Sequence, residues 1–102
     1  MSEFVRICSK DDLPASGQAR EITVAERMLC IANENGALSV MDNVCPHRGG
    51  PLGQGMLEGG KVICPWHGWA FDLKSGEAVH TPQVKVPVYE IKVDGEDVLA
   101  RL

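Results

Sequence analysis

Apolar residues along this chain come in short runs broken by polar or turn-forming positions. Phe4, Val5 and Ile7 form the first run, and Ile22 and Val24 alternate with Glu21 and Thr23. Residues 28–32 are a compact apolar run, followed by Asn35-Gly36 and a second run at 38–41. An Asn-Gly pair between two such runs predicts a hairpin, because both turn positions tolerate positive φ. Near the C-terminus Val84, Val86, Val88, Ile91 and Val93 alternate with polar or Pro positions, and Asp94-Gly95 then turns the chain into 98–102. The middle is different. Residues 45–60 hold six Gly and two Pro with little apolar periodicity, so they read as loop. A short strand is predicted at 61–63, a second loop at 64–68, a strand at 70–73 and a turn at 74–76. No helix of ordinary length and no internal repeat emerge. The expectation is an all-β fold, a small antiparallel sandwich or barrel, with two loops projecting from it.

Size and charge narrow the function classes. The 102 residues suit one small domain spanning 1–102. With 10 Lys and Arg against 14 Asp and Glu, the formal net charge is −4. Such a surface argues against a nucleic-acid binder, whose phosphate contacts need clustered Lys and Arg. No stretch approaches the roughly 18 to 20 apolar residues of a membrane helix. The opening "MSEFVRICSK" has no long apolar core, so no signal peptide is expected and the expected compartment is the cytoplasm. Disulfides are rare there, so the four cysteines are tested first as ligands.

Two segments stand out, "CPHRGG" at 45–50 and "CPWHGW" at 64–69. They give C-x-H, sixteen intervening residues, then C-x-x-H. Each loop offers a soft thiolate and an imidazole, and each Cys is followed by Pro, which stiffens the backbone. A single zinc ion can take two Cys and two His, but zinc-finger spacing pairs like with like. Here each loop mixes the two, which suits a binuclear cluster with sulfur on one iron and nitrogen on the other.

These residues resemble the Rieske 2Fe–2S signature, a centre with two His replacing two Cys on one iron. The resemblance runs through "GPLGQGMLEGGKVICPWHGWAFDLKSGEA", and its specific part is 43–78. It implies one 2Fe–2S cluster, with Cys45 and Cys64 on the inner iron and His47 and His67 on the outer. It also implies an electron exit at the outer histidine edges. Protonation of His47 and His67 would be linked to redox state, so that the potential falls as pH rises.

High-potential members of the family carry an extra Cys in each loop, joined as a disulfide, with a Ser and a Tyr whose hydroxyls donate to sulfur. Here those positions hold Gly50, Trp66, Trp69 and Phe71. Fewer donors near the sulfurs lower the potential, toward the roughly −150 mV end of the Rieske range. The resemblance is then to the soluble ferredoxins of bacterial ring-hydroxylating dioxygenase systems. It implies an electron carrier between an NAD(P)H-dependent flavin reductase and a terminal oxygenase, with no small-molecule substrate of its own. An oxygenase iron site needs two more His and a carboxylate, and only His80 remains after the cluster takes two. Two alternatives stay open: the small Rieske-like subunit of an assimilatory nitrite reductase, and a structural zinc domain.

Other residues carry paired readings. Trp69 is expected to pack or shield the cluster, whereas Trp66 either packs or stands exposed as a docking anchor. Arg48 reads as a solvated loop charge or a contact for an acidic partner. Pro82, in "HTPQ", resembles the Pro-bearing loop that covers Rieske clusters and also fits an ordinary turn. His80 reads as a surface or structural residue, and Cys8 and Cys30 as small buried hydrophobes. Glu90, Asp94, Glu96 and Asp97 read as solvated strand and turn faces.

Overall fold

The computed structural model describes residues 3–66 and 68–102. Its strands are β1 (Phe4–Ser9), β2 (Gln18–Val24), β3 (Arg27–Glu34), β4 (Ala37–Asp42), β5 (Met56–Glu58), β6 (Lys61–Ile63), β7 (Ala70–Asp72), β8 (Val88–Asp94) and β9 (Asp97–Arg101). Two 3-10 turns, Lys10–Asp12 and Leu52–Gln54, interrupt them. All neighbours pair antiparallel in the order β1-β9-β8-β4-β3-β2-β5-β6-β7. The all-β expectation therefore agrees with the structure.

The sheet divides into a frame and a lobe. The frame holds the longer strands β1–β4, β8 and β9, and it curls until β1 meets β2. Its core gathers Ile7, Leu29, Ile31, Val40, Val98 and Ala100. The lobe holds the three-residue strands β5, β6 and β7. It joins β2 through the single pair Gln18↔Met56. Its own core contains Leu52, Val62, Phe71, Leu73, Ala78 and Val86, closed from the frame side by Cys30, Ala32 and Met41. Residues 29–32 of β3 thus face cores on both sides, Leu29 and Ile31 one way, Cys30 and Ala32 the other. That is why this stretch reads as an unbroken apolar run rather than an alternating one.

Turn chemistry explains most connections. Asn35 and Gly36 take φ of 54° and 90° between β3 and β4, as their sequence predicts. The β2–β3 turn instead uses Ala25 and Glu26 at φ of 49° and 67°, residues with no intrinsic turn signal. Between β8 and β9 the turn pair is Gly95-Glu96, one residue later than Asp94-Gly95, since Asp94 pairs with Asp97.

Two sequence expectations need correction. The alternation from Val84 predicts a strand, but β8 begins at Val88. Residues 84–87 are drawn to the lobe: the Val86 N–H donates to Gly76 O at 2.8 Å, Lys85 bridges Glu77, and Val86 is buried. Likewise 45–60 is not all loop. Met56–Glu58 forms β5, paired with β6 across Gly59-Gly60, and Leu52–Gln54 forms a 3-10 turn.

Candidate metal centre

The first loop runs from β4 to the 3-10 turn at Leu52–Gln54, and its backbone closes on itself. The Cys45 N–H donates to Gly50 O at 2.9 Å, and the Gly49 N–H to Cys45 O at 2.7 Å. Val44 and Pro51 form a bridge at its neck. The second loop joins β6 to β7, and the Cys64 N–H donates to Trp69 O at 2.7 Å across its base. Both loops are therefore tight backbone turns anchored on strand ends, as metal ligands require.

The loops meet through sulfur. Cys45 and Cys64 are buried free thiols that share one core cluster. Burial pushes the Cys64 thiol up and the neighbouring Cys45 adds to this, while the main-chain N–H of Trp66 donates to the sulfur and pulls down. Gly50 presses directly on this pair. A Cβ there would lie 2.7 Å from Cys64 Sγ and 3.0 Å from Trp66 Cγ, so a larger residue would displace the sulfur. Positions 50 and 66 are thus in contact, but Gly and Trp occupy them.

His47 lies on the first loop with its Nδ1 buried. Its ring stacks on Trp69, with centroids 4.3 Å apart and planes 9° from parallel. Trp69 in turn leans on Phe71, which is fully buried, at 6.3 Å. Trp69 packs against the lobe core as expected, whereas Trp66 is 49% exposed. His67 lies outside the described residues. Among the described residues no group of three His, Cys, Asp or Glu side chains is drawn together as for a single ion.

The remaining candidates fall in place around this centre. The turn at 80–84 closes through Val84 N–H to Thr81 O at 2.9 Å. Its His80 and Thr81 line a cleft with Gly68 and Trp69, so it stands beside the second loop, with Pro82 and His80 exposed. Arg48 is exposed, as are Glu90, Asp94, Glu96 and Asp97. Glu90 and Asp97 pair with Arg101 and Arg6 at 3.5 and 2.8 Å. Cys8 and Cys30 are buried, and burial pushes the Cys30 thiol up to about 12. Sequence reasoning missed Asn43 and Glu21, whose side chains brace the first loop. An Asn at a strand end is ordinary, and Glu21 sits in an alternating strand, so neither carries a motif.

The donor set fits an iron–sulfur centre: two buried thiols in one core cluster, a close-fitting glycine, a buried imidazole nitrogen, and an apolar wall. The family model for the Rieske [2Fe-2S] domain matches residues 3–90. The chain belongs to the Rieske family. Its cofactor is accordingly one Rieske-type 2Fe–2S cluster. Among relatives, human Apoptosis-inducing factor 3 is 32% identical over 96 residues, covering 93% of this chain but only 16% of that protein. The ferredoxin component of the alkene monooxygenase system of Xanthobacter autotrophicus is 32% identical over 98 residues, covering 95% of this chain and 80% of its own. The ferredoxin component of the naphthalene 1,2-dioxygenase/salicylate 5-hydroxylase systems of Ralstonia sp is 29% identical, with 90% and 88% covered.

Solved structures agree on the fold. The ferredoxin of carbazole 1,9a-dioxygenase from Nocardioides aromaticivorans IC177 superposes with a TM-score of 0.84 at 25% identity, covering 98% of both chains. A complex of reduced oxygenase and oxidized ferredoxin in carbazole 1,9a-dioxygenase contains a chain matching at 0.81 and 26% identity, with 94% of this chain and 99% of that one covered. A Mycobacterium tuberculosis protein described as an NADH-dependent nitrite reductase small subunit matches at 0.86 but 22% identity, covering 100% and 96%, a likeness of fold alone. No helix among the described residues is long and apolar enough to cross a membrane.

Proposed function

We propose that this chain is a low-potential electron-transfer ferredoxin. It takes electrons from an NAD(P)H-dependent flavin reductase and passes them to a terminal oxygenase in the cytoplasm. The observation that carries this reading is the near end-to-end match to ferredoxin components of oxygenase systems, combined with two loops that bury Cys45 and Cys64 in one core cluster. In this reading Cys45 and Cys64 hold one iron, and His47 and His67 hold the other. When bound, the cluster supplies one-electron transfer. The protein's residues set how readily an electron is accepted. Trp69 and Phe71 wall the site with rings where hydroxyl donors would favour the reduced state.

Exposed Trp66 and Val44 flank Gly50 and Pro51 on the outer side of the first loop. They form an apolar docking face with Arg48 as its loop cation. Asp and Glu are absent from 43–51, 64–69 and 79–83. Redox titration followed by electron paramagnetic resonance tests the reading, and a Rieske-type signal with a potential well below zero is expected. Reduction by a flavin reductase and delivery to an oxygenase then separate it from the nitrite reductase alternative, which rests on likeness of fold. Trp66→Ala should weaken the oxygenase complex by roughly tenfold while leaving the potential unchanged. Equal affinity would remove Trp66 from the interface.

A further inference from the structure

The first loop leaves β4 through Asn43, a side chain only 4% exposed. Its Nδ2 donates to Glu21 Oε2 at 2.6 Å, and its Oδ1 accepts the Gly53 N–H at 2.7 Å. Its main chain is held as well: the N–H donates to Met28 O at 3.2 Å, and the carbonyl accepts the Leu52 N–H at 2.8 Å. The other carboxylate oxygen of Glu21 accepts from Gln54 Nε2 at 2.8 Å. One carboxylate on β2 therefore grips the segment where the loop begins and the segment where it ends. The fit is close, since a Cβ on Gly53 would lie 2.5 Å from Glu21 Cγ and 2.8 Å from Asn43 Oδ1. Without this acceptor, a buried amide donor would be left unsatisfied.

We propose that Glu21 is a positioning residue for the cluster, fixing the loop that carries Cys45 and His47 through Asn43 and Gln54. The inference rests on the ligand reading given above. Groups that orient metal ligands typically change metal retention by roughly 10-fold or more when removed.

The test uses the full-length holoprotein with Glu21→Ala and Glu21→Gln. Iron release to a chelator is followed at a temperature where far-UV circular dichroism shows all three proteins folded. Glu21→Ala should release iron roughly tenfold faster than wild type. Glu21→Gln keeps an acceptor for Asn43, so it should retain iron nearly as wild type does. Release from Glu21→Ala at the wild-type rate would overturn the positioning role. So would release from Glu21→Gln as fast as from the alanine variant. A wild-type protein lacking any Rieske signal would instead overturn the ligand reading itself.

Discussion

The frame and the lobe reach order by different routes. Frame strands of five to eight residues pair over long registers around a core of branched aliphatic side chains. The lobe has three strands of three residues, a 3-10 turn and a core that includes the thiols of Cys45 and Cys64. Burial of apolar surface suffices for the first. The second relies on close backbone approach, and under the ligand reading proposed above the bound cluster would add to it, because binding free energy at a site absent from the unfolded chain is folding free energy. A small redox protein can thus confine its metal-dependent part to one lobe and build the rest as an ordinary β-frame.

The sharpest break of this contrast is in the frame. Leu29→Ala removes a fully buried side chain and should cost about 3 kcal/mol in urea unfolding, with or without the cluster. An effect confined to the cluster-loaded protein would erase the distinction. In the lobe, Gly50→Ala forces a Cβ against Cys64 Sγ. It should cost about 2 kcal/mol as lost cluster occupancy, read from visible absorbance and acid-labile sulfide, with the far-UV spectrum preserved.

Smaller effects sharpen the picture. The Ser75 and Lys74 N–H groups donate to Asp72 and hold its carboxyl below its ordinary value of 3.8. A lowered folded value means stability present above the unfolded pKa and lost as pH falls through the folded one. Asp72→Ala should therefore cost about 1 kcal/mol at neutral pH, with the difference from wild type vanishing in strong acid. Smallest is Glu26→Gly, which relieves a positive φ at the β2–β3 turn. It should raise stability by about 0.5 kcal/mol, seen as a higher urea midpoint.

Legibility in the sequence follows the same division. The Asn35-Gly36 hairpin and the runs of β1, β3, β4 and β9 were readable because pattern and turn chemistry agree there. The Ala25-Glu26 turn was not, since flanking strands impose a conformation its residues do not prefer. Strand β5 hid among glycines because its pairing partner, not its composition, makes it a strand. At the site, Cys45, His47, Cys64 and His67 are candidates by type and spacing alone, and the structure buries the two thiols in one core cluster. Asn43 and Glu21 are not, because their roles arise from a contact across 22 positions of chain.

Strand β4 ends and β8 begins as hydrogen-bonded neighbours: Met41 pairs with Val88, and the Asp42 N–H donates to Pro87 O at 3.0 Å. Everything from 43 to 87 is therefore an excursion that departs and returns at one doorway. Such a segment is portable. It could be swapped for the equivalent stretch of another protein, or shortened to a brief connector, with no rethreading of the remaining strands. The graft must supply new cover for Cys30, Ala32 and Met41, the floor on which the excursion stands, and new partners for Gln18, Glu21 and Glu34.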